Sequence, residues 1–256
     1  MSADMLSRER AAAPDRLETT PVSLSEALVT FCSTLSPEKP EFVQVIDDPY
    51  GLYGWCCDGV SEKIKVDGGS HAFGWTIWEW PEVLWTAEFH DIWRNPDGNL
   101  IDITPKPGRE TSILFVAAPH FPQTFNFDDR PGNRRQRIYE APDKVRFSAE
   151  TISRMKPAQR QYELRRAEKA GISLEEWMGR KVPDDPLPDL IDAMISACNE
   201  HEHYFDTLGT SGMIRVDNKL HGLIKKRLEC QQALYRELVA RGFKTSRTPY
   251  IDPSHL

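Results

Sequence analysis

Nowhere in its 256 residues does the chain carry a run of about 18 apolar residues, so no membrane-spanning helix is expected. It begins MSADMLSRERAAAP, without the apolar stretch of a secretory signal, and its five cysteines lack the spacing of a disulfide framework. Both features point to a reducing setting and a cytoplasmic location. Excess positive charge is missing too. With 32 Lys+Arg against 39 Asp+Glu the net charge is −7, which argues against strong attraction to nucleic acid or anionic membrane. No internal repeat is present. The remainder is ordinary for a globular chain with a real core, at 39 % hydrophobic and 28 % charged residues.

What is present is unevenly placed: Trp55, Trp75, Trp78, Trp80, Trp85 and Trp93 all fall between positions 55 and 93. Along the chain, residues 1–20 mix charge, alanine and proline without periodicity and read as a disordered leader. Residues 21–118 read as an α+β core. A capping box, Ser23 with Glu26, opens a helix whose Leu24, Ala27, Leu28, Phe31, Cys32 and Leu35 form one apolar stripe. A strand follows over 41–46, then a helix from Cys56 to Val66 halted by Gly68-Gly69. Strand-like segments occupy 71–80, 83–94, 100–104 and 111–117, with Asn95-Pro96-Asp97-Gly98 turning the second into the third. Residues 119–147 read as a polar linker, in which Arg130, Arg134, Arg135 and Arg137 form a solvated basic run. Residues 148–256 read as a helical region packed on or appended to the core. Its last helix, near 217–240, is expected to bury Leu220, Leu223, Ile224, Leu228, Leu234, Tyr235 and Leu238.

Three residues in this frame have the chemistry of an activated nucleophile. A thiol needs a base to become a thiolate near neutral pH, and the base needs a third group to fix its tautomer. Cys56 stands at a predicted helix N-terminus, which favours the thiolate. His90 and Asp102 flank the hairpin turn. A three-residue loop pairs Asn95 with Asn99, so paired positions sum to 194 and His90 and Asp102 fall on one face as diagonal neighbours. A loop one residue longer or shorter would separate them. Cys57 shares an apolar stripe with Val60 and Ile64 and is expected to face the core, which leaves Cys56 as the first choice of nucleophile and Cys57 as the second.

The longer pattern resembles an uncharacterised bacterial protein family with the pattern Cys-x-x-Asn-Val, Gly-Gly, Gly-Trp-x-Ile-Trp-Glu, Phe-His-x-x-Trp, Pro-Asp-Gly and Asp-x-Thr-Pro. The matching residues are Cys56, Val60, Gly68, Gly69, Gly74, Trp75, Ile77, Trp78, Glu79, Phe89, His90, Trp93, Pro96, Asp97, Gly98, Asp102, Thr104 and Pro105. Gly59 departs from it, standing where the pattern has Asn. The segment through Phe89–Trp93 and Leu100–Pro105 is also similar to the transglutaminase-like superfamily of papain-like thiol enzymes. That resemblance covers only residues 55–105. It implies a papain-like α+β core, a helix packed on an antiparallel sheet, and a Cys56–His90–Asp102 triad acting on an amide, ester or thioester. The substrate expected is a peptide or small acyl compound, with Trp55, Trp75 and Trp78 as candidate substrate-binding surface and no cofactor or bound metal. Oxyanion donors would include the Cys56 N–H, with Gln44 or Trp55 as a side-chain donor.

Two other readings stand beside it. One is a non-catalytic interaction protein with a protein partner at the C-terminal helices. The other is a zinc-binding domain using Cys56, Cys57, His71 and His90, although adjacent cysteines are not the usual zinc spacing.

Overall fold

A computed structural model describes residues 18–106, 108–208 and 216–243. The chain is a mixed α+β protein that divides into two compact units. One comprises the residues up to Ile138 together with those from Ile191 onward; the other is Tyr139–Leu190. Among the described residues no helix is long and apolar enough to cross a membrane.

The first unit is built on six strands: β1 (Glu41–Val45), β2 (Ser70–Trp80), β3 (Leu84–Arg94), β4 (Leu100–Asp102), β5 (Ser112–Ala117) and β6 (Arg134–Arg137). Their pairings close into a ring, β1–β4–β3–β2–β5–β1, with β1–β4 parallel and the others antiparallel. Strand β6 joins the free side of β3 at Leu84–Ala87. Alternation sorts the side chains into two faces. Val43, Ala72, Trp78, Ile92, Ile113 and Phe115 pack together on one. Phe73, Trp75, Ile77, Trp85, Phe89, Leu114 and Val116 pack on the other, beneath Leu28, Phe31 and Cys32 of helix α1 (Glu26–Ser33). Since a helix covers the second face, the first is the enclosed one.

Helix α1 starts two residues later than its sequence signal. Ser25 rather than Ser23 caps it, accepting from the Leu28 N–H at 3.1 Å, so Leu24 lies outside the stripe and is exposed. Helix α2 (Cys56–Asp67) starts where expected, runs one residue past Val66 to the glycine stop, and packs Val60 against Trp93 and Ile103. The expected hairpin forms. Gly98 adopts φ 90° and donates to the Asn95 carbonyl at 2.9 Å, and the register Trp93↔Ile101 sums to 194.

Most of the leader expected over 1–20 lies outside the described residues. Its last residues are tied down: Thr19 pairs with Glu79, and the buried Thr20 hydroxyl donates to the Ser112 carbonyl at 2.9 Å. The basic run is not a solvated loop. Arg134–Arg137 is strand β6, and its partly buried Arg135 and Arg137 meet acids of helix α6 (Leu187–Thr207). Arg135 grips Glu202 with both terminal nitrogens and Asn199 at 2.8 Å, while Arg137 reaches Asp192 at 3.0 Å.

The second unit holds α3 (Lys144–Ser153), α4 (Pro157–Ala170), α5 (Leu174–Gly179) and the first turn of α6. Ser173 caps α5, accepting from the Glu176 N–H at 3.0 Å. Glu163 on α4 accepts from the Trp177 indole at 2.8 Å and from Lys181. In the first unit, α7 (Asn218–Ala240) buries Leu220, Leu234 and Leu238, but Leu228 and Tyr235 are exposed. At about 100° per residue these two sit some 60–80° around the helix from the buried line, outside the contact stripe.

Candidate active site

Cys56 is the first residue of α2. The N-cap residue, Trp55, offers no side-chain acceptor, so the first-turn N–H groups and the helix dipole are left to favour an anion at that end. Cys56 is 9 % exposed, whereas Trp55 is 56 % exposed beside it. One turn on, α2 passes so near the preceding loop that a Cβ on Gly59 would lie 2.4 Å from the Tyr50 carbonyl oxygen. The Asn of the resembled pattern has no room there without a shift of that loop.

His90 and Asp102 meet as the hairpin parity requires, with Nε2 and Oδ2 3.0 Å apart and both side chains buried. The second carboxylate oxygen accepts from the Thr104 N–H at 2.8 Å. A third group, not anticipated from the sequence, completes the cluster. The Lys106 ammonium, 4 % exposed, lies 2.5 Å from Asp102 Oδ2 and 3.2 Å from His90 Nε2. The turn after Asp102 folds Lys106 back, and its spacing of four carried no helical signal to mark it. With the Nε2–H donating to Asp102, the ammonium does not also donate to that nitrogen but pairs with the carboxylate, and Nδ1 is the nitrogen left to take a thiol proton.

Burial alone would raise the Asp102 carboxyl, but Lys106 and His90 reverse this and hold it well below the usual carboxylate range. For His90, burial and the Lys106 ammonium both oppose protonation. The Asp102 carboxylate and a Cys56 thiolate outweigh them and lift its pKa to about 9.

On the opposite face of β3, Asp91 is fully buried and its Oδ2 lies 2.6 Å from His71 Nδ1. The pairing Phe73↔Asp91 makes His71 and Asp91 diagonal neighbours, as His90 and Asp102 are on the other face. The Cys57 thiol reaches the same carboxylate; burial first, then Asp91, pushes its pKa up to about 12. Burial likewise raises Asp91, against the His71 hydrogen bond. Cys57 packs only partly buried at the margin of the cluster beneath α1, apart from Val60 and Ile64, which sit with Trp93 and Ile103; contrary to the stripe expected from the sequence, Cys56 is the more buried thiol.

The other sequence expectations divide. Trp75 and Trp78, at 5 % and 3 % exposure, are core residues on the two faces of the sheet and offer no ring to a substrate. Trp78 donates to Glu88 at 2.9 Å, which satisfies its indole within the core. Of the three tryptophans only Trp55 presents a surface. Gln44 is exposed on β1. The zinc set Cys56, Cys57, His71 and His90 does not converge, because His71 aligns with Trp93 and His90 with Gly74 on opposite faces of the β2–β3 pair. No protein-family model matches the chain, and neither the curated proteins nor the solved structures include one found similar to it.

Proposed function

We propose that the chain is a thiol hydrolase or acyltransferase of papain-like, transglutaminase-like type, acting on an amide, ester or thioester of a peptide or small acyl compound. The observation that supports this best is the buried His90–Asp102 hydrogen bond, which occupies Nε2 and leaves Nδ1 for the thiol of Cys56. In the reaction Cys56 Sγ passes its proton to His90 Nδ1 and bonds to the substrate carbonyl carbon. The carbonyl-to-leaving-group bond then breaks, and His90 returns the proton to the leaving group. Water or an amine attacks the resulting thioester, gives its proton to His90 and frees Cys56. The Cys56 backbone N–H, at the first helical position and without an intrahelical acceptor, would donate to the oxyanion. Asp102 orients the ring and stabilises its charged form, while Lys106 offsets the carboxylate charge so that the buried cluster does not hold an uncompensated anion. Trp55 provides an exposed apolar surface beside the thiol.

The test is iodoacetamide alkylation at pH 7, read by peptide mass spectrometry. Cys56 is expected to react at least about tenfold faster in wild type than in His90→Ala, since the imidazole is the base that takes the thiol proton. An inert Cys56, or one indifferent to His90, rejects the proposal.

A second reading is favoured by the exposed apolar stripe Leu228, Tyr235 and Val239 on α7. It makes the C-terminal helices a protein-binding surface on a non-catalytic scaffold, and an unreactive Cys56 would point to it.

A further inference from the structure

We infer that Cys57, His71 and Asp91 form a binding site for a zinc-class divalent metal ion, separate from the Cys56–His90–Asp102 cluster. The three come from different elements, the first turn of α2, the start of β2 and the middle of β3, yet their ligand atoms all lie within 4.8 Å of one another. Among the described residues they are the one set of His, Cys, Asp and Glu that converges so closely.

The second observation is an unmet need. Asp91 is 0 % exposed, and its Oδ1 has no hydrogen-bond partner among the described residues. A buried carboxylate oxygen without a donor is costly unless a cation or proton meets it. Among the described residues no lysine or arginine is bonded to this carboxylate; its partners are His71 and Cys57. The imidazole is also held in place. The His71 N–H donates to Gln123 Oε1 at 2.9 Å, Gln123 Nε2 donates back to the His71 carbonyl at 3.0 Å, and the ring stacks on Phe73. Such fixing of a ligand's backbone and ring is what a preformed site requires.

Charge and donor type indicate the ion. One thiolate, one carboxylate and one neutral imidazole sum to −2, so a divalent cation makes the buried complex neutral. A mixed S, N, O set suits zinc-class ions and excludes magnesium and calcium, which take oxygen ligands. On binding, the Cys57 thiol and the Asp91 carboxyl coordinate in their ionised forms, their protons passing to solvent, and the imidazole coordinates through Nδ1 with its proton on Nε2. The 2.6 Å His71–Asp91 contact would open to roughly 3.3 Å, the separation of two ligands about 2.0–2.1 Å from one tetrahedral ion. Three protein ligands leave a fourth position open, the arrangement of zinc sites that bind water or substrate.

The test uses the full chain, stripped with a chelator and titrated with Co²⁺ and with Zn²⁺. One Co²⁺ per chain and a thiolate-to-cobalt charge-transfer band are expected. Cys57→Ser should abolish the band, and His71→Gln and Asp91→Asn should each weaken binding more than about tenfold, since even supporting residues contribute that much. Cys56→Ser should leave affinity and band unchanged, which separates this result from the fate of the proposed thiol chemistry. No stoichiometric binding by wild type overturns the inference. So does a charge-transfer band that survives Cys57→Ser or disappears in Cys56→Ser. Far-UV circular dichroism of each variant distinguishes a lost ligand from a lost fold; should Asp91→Asn unfold, the wild-type stoichiometry and the two cysteine variants still decide.

Discussion

Successive residues of β3, His90 and Asp91, open onto opposite faces of the same sheet, and the two carboxylates they meet or carry have opposite fates. Asp102 receives the imidazole, the Thr104 N–H and the Lys106 ammonium, and stays ionised although fully buried. Asp91 receives His71 and the Cys57 thiol, has no partner for Oδ1 among the described residues, and is pushed toward protonation. Depth is the same for both. What differs is the supply of donors and of a compensating cation, and that supply decides whether a buried carboxylate carries charge. One face has its cation built in as Lys106. The other has a place for one.

This contrast can be broken most severely at Asp102. Asp102→Ala leaves Lys106 buried without its anion and should cost about 3–5 kcal/mol, whereas Asp91→Asn, removing a single hydrogen-bonded oxygen, should cost only about 1–2 kcal/mol. Equal losses in urea unfolding would erase the distinction. Metal sharpens it next. Zn²⁺ at a hundred times its dissociation constant should stabilise the stripped wild type by about 2.7 kcal/mol in thermal unfolding and Asp91→Asn far less. A comparable gain in both would place the ion elsewhere. The two thiols follow, with Cys56 alkylated faster than Cys57 by about tenfold or more at pH 7, because Cys57 is held protonated by burial and Asp91. Reversed rates would exchange their roles.

The smallest effect is on pH dependence. Because the folded-state pKa of Asp102 is depressed, its stabilising contribution is present above the unfolded value of about 3.9 and is lost as pH falls below it. Wild type should therefore lose stability more steeply below about pH 4 than Asp102→Asn does, as measured by acid-limb denaturation. Parallel acid limbs would mean that Asp102 is not held ionised.

Much of this was legible beforehand, and the residues show why. Parity alone brought His90 and Asp102 to one face, because a three-residue loop fixes register and register fixes facing. Local caution failed at Ser23, where a neighbouring serine two positions on made the better cap. It failed also at α7, whose apolar residues outnumber what one packed face can cover. The arginines of β6 looked solvated because the acids that meet them lie some 55–67 positions further along the chain.

By itself the sequence determined the α+β character, the helix beginning at Cys56, the hairpin and its register, and hence the His90–Asp102 pair. Those depend on residue periods and turn geometry, which act over a few positions. Only the tertiary structure decided that Lys106 folds back onto the pair, that Trp75 and Trp78 are core while Trp55 is exposed, and that Cys57, His71 and Asp91 converge. Such neighbours are chosen by how the sheet closes and where helices cover it, and no local spacing encodes that choice.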